Sequence, residues 1–314
     1  LAASVPAIKA DAARSLFGIS CAQVTWAILD SGIDHDHLAF RDHAQAGKRM
    51  ERKRALIDKE RAAAGQEPIA AAEVGLDWHP HRVRGTFDFT RIRAILGVQT
   101  NAQIAELTGE FVPDRKIPEA EIKRLLEAIR QDKRDREPLD WRKVQPLIEL
   151  DSGQRADGKD SLDPPPNPHG THVAGILAAD WREEGEPKML GVCPDIRLYD
   201  CRVLGSTRGD SEFAVSAALQ FIRFFNEQSG HPRINGVNMS LAIRHNVRNY
   251  ACGRTPVCLE AEARAHRLLR RRQAERLADI VAFSGQFANE AMVGRQLEVA
   301  FEAQLPHLQL MDAG

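Results

Sequence analysis

Two short runs in this sequence hold residue types that acyl-transfer chemistry needs. Asp30 ends the apolar run Val24-Thr-Trp-Ala-Ile-Leu29 and opens the turn Asp30-Ser31-Gly32, and His169 opens the run His169-Gly-Thr-His-Val-Ala-Gly175. Attack of a hydroxyl on an acyl carbon needs an imidazole to take and return the proton. It also needs a carboxylate to orient that imidazole and donors for the oxyanion. Asp30 and His169 supply the carboxylate and the imidazole, and the glycines at 170 and 175 are expected to let a helix start at His169 and pack close to neighbouring backbone.

These residues need a scaffold that brings them together. The run 24–29 is nearly continuous in apolar side chains and ends abruptly, as a buried parallel strand does before a turn, and catalytic groups in open α/β sheets gather at that strand edge. From about 41 to 160 the sequence becomes densely charged and reads as an insertion. Within it Ile122, Leu125, Leu126 and Ile129 repeat at helical spacing after Pro118, with Glu119 and Glu121 in the favoured first turn. Gly85-Thr-Phe-Asp-Phe-Thr90 alternates as a strand does, and Asp163-Pro-Pro-Pro-Asn-Pro168 reads as a stiff linker that loops the insertion back.

A strand and helix rhythm then follows: a helix over 169–179, a strand over 196–204, a helix over 211–225 and a strand over 237–243. The fold class is α/β, with strands 24–29, 196–204 and 237–243 as parallel neighbours or near neighbours and helices on both faces. In the 211–225 helix Phe213, Ala214, Ala217, Ala218, Phe221, Ile222 and Phe225 form a broad apolar face suited to that sheet. There is no internal repeat.

DSGID at 30–34 and HGTHVAG at 169–175, in that order, resemble the Asp and His signatures of the subtilase family of serine proteases (peptidase family S8). The likeness continues. Gly191-Val-Cys-Pro194 is similar to the family's GVAP, Arg202-Val-Leu-Gly205 to the strand entering its substrate cleft, and Val237-Asn-Met-Ser-Leu241 to VINMSLG.

The resemblance implies a subtilisin-like three-layer fold around a central parallel sheet and peptide-bond hydrolysis through an Asp-His-Ser triad. Asp30 and His169 would be triad members. Gly205, Ser206 and Gly209 would line one edge of a cleft for a polypeptide substrate, and Ser240, Leu241 and Ala242 would pair with the substrate backbone on the other, as an added strand. Ala242 replaces the family's Gly and narrows that approach.

His172 would be a residue of the helix, since HxxH lacks a third ligand at metal spacing. Asp34-His-Asp-His37 falls where the family has a polar turn and reads as solvated, with no metal assigned. No cofactor is implied, although family analogy leaves room for structural calcium.

On the resemblance the chain divides into 1–40 with the Asp motif, the insertion and linker 41–168, 169–260 with the His motif and cleft strands, and an Arg-rich tail 261–314. Past about Glu260 the family pattern calls for a strand ending in an oxyanion Asn and then Gly-Thr-Ser with the nucleophile. No serine here has that context; Ser284 lacks the preceding Gly-Thr. The fold is therefore expected to be incomplete at its C-terminus, and the chain, a serine endopeptidase by descent, to be inactive. The alternative function is a non-catalytic peptide-binding or regulatory relative. Three readings stay open for Arg264–Arg276: a shifted reading frame, an exposed helix face with Leu268, Leu269 and Leu277 inward, or a patch for an acidic partner.

The whole chain of 314 residues is 43% hydrophobic, enough for a sizeable core, and its net charge of −1 gives no reason to expect nucleic acid or an anionic membrane as partner. No apolar run approaches the roughly 20 residues of a membrane helix, and the first residues lack a signal-peptide pattern, so the protein reads as soluble with its location undetermined. Its five cysteines contain no CxxC and are expected as free thiols, except that Cys252 and Cys258 could close a disulfide in an oxidising compartment.

Overall fold

The computed structural model describes residues 4–70, 73–76, 80–112, 115, 117–151, 162–205, 208–242 and 255–262. Among them the strands are β1 (Thr25–Asp30), β2 (Val83–Asp88), β3 (Glu149–Leu150), β4 (Asp180–Glu183), β5 (Glu186–Leu190), β6 (Arg197–Arg202) and β7 (Gly236–Asn238). The α-helices are α1 (Ser4–Ala7), α2 (Ala10–Phe17), α3 (His43–Ala63), α4 (Ile92–Gly97), α5 (Asn101–Phe111), α6 (Glu119–Asp135), α7 (Trp141–Ile148), α8 (His169–Ala178) and α9 (Arg208–Glu227). No helix of the described residues is long and apolar enough to cross a membrane.

The central sheet has the order β3-β2-β6-β1-β7. β1 pairs in parallel with β6, Thr25 to Asp30 opposite Arg197 to Arg202, and on its other side with β7, Trp26 to Ile28 opposite Gly236 to Asn238. The three strands expected in parallel are so, β1 lying between the other two, but β7 is shorter than the expected 237–243 and ends at Asn238. β2 is parallel to β6, and only the short edge strand β3 is antiparallel. β4 and β5 form a separate hairpin, turning through Glu184 (φ 51°) and Gly185 (φ 87°), which the sequence pattern does not announce.

Alternation along the strands assigns the two faces of the sheet. Ala27 and Leu29 of β1 and Cys201 of β6 enter a large core with Phe87, Phe89 and the buried sides of α4 to α7 and α9. Ile28 of β1 and Leu198 of β6 face the other way, onto Ala174 and Ala178 of α8 and onto Phe40. Asp30 and Arg202, paired in register and even-numbered like Ile28 and Leu198, therefore lie on the side of the sheet that α8 covers.

The charged segment does not loop out from a preserved sheet. It contributes β2 to the sheet interior and α4 to α7 to the main core. Its apolar residues are thinned by charges that occupy the outer helix faces. In α6, Ile122, Leu125, Leu126 and Ile129 are buried while Glu119–Lys123 and Glu121–Arg124 pair at the surface. Arg124 holds the Glu121 carboxyl below its ordinary range. Nor is the proline run a free linker, since Pro165 is buried with its Cβ close to Gly32. On α9 the expected apolar face is buried except for Phe213, which stays 37% exposed beneath the guanidinium of Arg93.

Arg82, immediately before β2, is a buried hub. It donates to the carbonyls of Arg41 (3.2 Å), Ile196 (3.0 Å), Ala39 (2.7 Å) and Ala178 (2.5 Å). The last is at the C-terminus of α8, where carbonyls lack helical partners and the helix dipole favours a cation. Burial draws the Arg82 guanidinium down to about 10, against Asp180, Asp42 and Asp195, which raise it, so it remains charged at neutral pH. Arg82→Met should cost about 3 kcal/mol or more by stranding several buried carbonyls, and Arg82→Lys should recover only part of this, as read by urea unfolding.

Candidate active site

The site forms where β1 ends beneath the first turn of α8. Asp30 is 1% exposed, and its Oδ1 accepts from the Ser31 amide (2.7 Å) and from His169 Nδ1 (2.7 Å). With Nδ1 donating, the neutral imidazole keeps Nε2 as an acceptor, and the ring is 49% exposed. Among the described residues no donor reaches Asp30 Oδ2.

The docking of α8 explains this geometry. Pro168 precedes the helix and offers no side-chain cap. The cap comes instead from the turn after β1: Ser31 Oγ accepts from the Gly170 amide (3.0 Å) and donates to the Asn167 carbonyl (3.0 Å). Thr171 Oγ1 accepts from the Asp34 amide (2.9 Å), and Asn167 Oδ1 accepts from the His169 amide (3.0 Å).

Two glycines permit the contact. Gly32 has φ +119°, and a Cβ there would meet Arg202 Nε at 2.9 Å and Pro165 Cβ at 3.0 Å. A Cβ on Gly170 would collide with the Gly32 carbonyl oxygen and lie 3.1 Å from Asp30 Cβ. The expected role of Gly170 is therefore seen; Gly175 has open space at its Cβ position and plays no such part.

A buried polar layer lies on the same face of the sheet. Arg202 Nε donates to Asp200 Oδ2 (3.2 Å), and His35 Nε2 stands 3.6 Å from that oxygen and 3.0 Å from Thr86 Oγ1. His35 thus corrects the expectation of a solvated 34–37 turn: it is 4% exposed, with the His81 ring 5.0 Å away, because the buried neighbours Ile33 and Phe40 draw the turn onto the sheet. Asp36 of that turn is exposed, as is His172 on α8. Among the described residues no three His, Cys, Asp or Glu side chains are grouped so as to hold a metal ion.

With an Asp–His pair at the end of a central parallel strand, the match of the chain to a known family becomes interpretable: the model of the subtilase family, peptidase S8, matches residues 22–278. The chain belongs to the subtilase family. Neither the curated proteins nor the solved structures return a match. A subtilase is by family a serine-type peptidase, a hydrolase of polypeptides, and the mostly parallel sheet with covering helices agrees with the subtilisin-like architecture. The match runs past Glu260 and takes in the whole of 264–276, which lies outside the described residues.

In this subtilase the strands that lead to the expected cleft residues flank β1, which carries Asp30. β6 and β7 lie on either side of β1 and run parallel to it, so the segments leaving their C-terminal ends emerge at the edge where β1 ends. Gly205 follows β6 and its amide donates to Ser211 Oγ (3.1 Å). Ser206 lies outside the described residues, and Gly209 falls in the first turn of α9. Beyond β7, Ser240 Oγ accepts from Asn238 Nδ2 (2.9 Å), Leu241 packs against the main core and Ala242 is exposed.

Sequence reasoning missed the capping role of Ser31 and Asn167 and the buried layer of Asp200, Arg202, His35 and Thr86. Asp200 did leave a signal, as a charge inside the strand Leu198-Tyr-Asp-Cys-Arg202. Gly170→Ala should push α8 away from Gly32 and break the His169–Asp30 hydrogen bond while the chain stays folded. Loss of the low-field Nδ1 proton resonance of His169, with the circular dichroism spectrum retained, is the expected outcome.

Proposed function

We propose that Asp30 and His169 are the orienting carboxylate and the general base of a serine endopeptidase site, and that this chain does not itself complete the triad. The observation that carries the reading is the 2.7 Å hydrogen bond from His169 Nδ1 to Asp30 Oδ1, which leaves Nε2 as the proton acceptor in a half-exposed ring.

In such a site Nε2 takes the proton of an attacking hydroxyl and returns it to the leaving amine. The buried carboxylate fixes the tautomer and stabilises the imidazolium. The polypeptide would lie between the segment from Gly205 to Gly209 and the segment Ser240–Ala242, adding a strand at the sheet edge.

No serine in a Gly-Thr-Ser context follows these elements in the 314 residues. The two serines closest in sequence to the strand ends are already engaged: Ser31 Oγ caps α8, and Ser240 Oγ accepts from Asn238. That engagement favours a second reading, in which the chain binds extended peptides without cleaving them. Loss of the nucleophile costs on the order of 10⁶ in kcat, so the two readings differ by a wide margin in turnover.

A fluorophosphonate probe, which needs an activated hydroxyl, should label the chain no better than His169→Ala. Labelling that disappears in His169→Ala would overturn the claim of an incomplete triad, and the labelled peptide would name the nucleophile. Binding is read separately, by fluorescence anisotropy of an extended peptide. Ser240→Pro, which removes one backbone donor from the cleft edge, should weaken it about 5- to 10-fold. Unchanged affinity would count against strand addition there.

A further inference from the structure

Away from the candidate site, two half-buried cysteines face each other across a joint between distant parts of the chain. Cys21 lies in the turn that leads into β1, where its carbonyl accepts from the Val24 amide (2.8 Å). Cys193 lies between β5 and β6, its amide donating to the Leu177 carbonyl of α8 (2.7 Å) and its carbonyl accepting from the Ile196 amide (3.2 Å). Both are free thiols that pack against the smaller core beneath α8, and both lie four residues before positions paired in register, Thr25 of β1 and Arg197 of β6.

The joint is fastened from both sides. Asp195 Oδ2 accepts from Ser20 Oγ (2.6 Å) and from the Cys21 amide (2.9 Å), and Arg14 of α2 donates to the carbonyls of Gly191 (2.8 Å) and Val192. The two segments that carry the cysteines are thus fastened to one another. The other described cysteines differ: Cys201 is fully buried in the main core, and Cys258 is buried with Thr255 Oγ1 against its sulfur (3.0 Å).

We propose that Cys21 and Cys193 form a redox-controlled disulfide that locks the segment preceding β1 to the β5–β6 turn, with a small-molecule disulfide of the glutathione class as oxidant. Cys21 is the attacking sulfur. Interaction with the Cys193 side chain lowers the Cys21 thiol below the ordinary value; burial and Asp195 work against this and Arg14 assists it. The same interaction, with burial, pushes the Cys193 thiol up.

The Cys21 thiolate attacks one sulfur of the oxidant and expels one thiolate, giving a mixed disulfide. Cys193 then gives its proton to solvent and attacks the Cys21 sulfur, expelling the second thiolate. Two protein thiols are oxidised, and one oxidant molecule is reduced to two thiols. The closed loop contains β1, the charged segment and α8, so the lock restrains a large part of the unfolded chain. The proposal does not depend on the peptidase reading.

The test uses the full reduced chain, incubated with oxidised glutathione, acid-quenched, alkylated, digested and mapped by mass spectrometry. The expected result is a Cys21–Cys193 cross-linked peptide, together with a thermal midpoint higher by about 5–10 °C that returns on reduction. C193S should stop at a glutathione adduct on Cys21, and C21S should give neither the cross-link nor the rise in midpoint. Separate glutathione adducts on both cysteines of the wild-type chain, a cross-link between other cysteines in place of this one, or no reaction at either position would overturn the proposal. The wild-type map decides the matter even if a variant fails to fold.

Discussion

The close approach of α8 to the turn after β1 is the contact on which the candidate site depends. Gly170 brings helix backbone against Gly32, and only at that separation can Ser31 cap the helix and Asp30 reach His169. Neither partner is free to drift. β1 is flanked by strands on both sides, and α8 is held at its first turn by Ser31 and at its last by Arg82. A hydrogen bond that spans 139 residues of sequence is thus set by the docking of rigid elements and requires no adjustment of the side chains themselves.

The face of the sheet that α8 covers is unusual in what it buries. Ile28 and Leu198 give way, toward the strand ends, to Asp30, Asp200 and Arg202. Buried charges are costly unless paired, and here Arg202 answers Asp200 while Thr86 and His35 extend the polar layer to β2. Arg202 also packs against Gly32, so the layer buttresses the turn that carries the capping serine.

What could be read in the sequence was what short range encodes. Asp30 and His169 stand in local patterns that set their own backbone context, and β1 shows as an apolar run because both faces of a central strand are covered. The place of the charged segment was hidden, since its helices are polar on the outside; charge density masked a shared core. His35 was misjudged because its immediate neighbours are polar, and burial was imposed from a distance by Ile33 and Phe40. The meeting of Cys21 with Cys193 is purely tertiary and leaves no trace in spacing.

The pairing of β1 with β7 has a consequence for how the chain acquires its structure. Asn235, just before β7, exchanges hydrogen bonds with Thr25, 210 residues earlier. During synthesis at about 10 residues per second, roughly 20 s elapse between the emergence of the two. For that time the apolar edge of β1 has no permanent neighbour on that side, and β6, on the other side, also arrives late. Pairings this distant in sequence slow folding and leave the edges of β1 open to misassociation until the sheet closes.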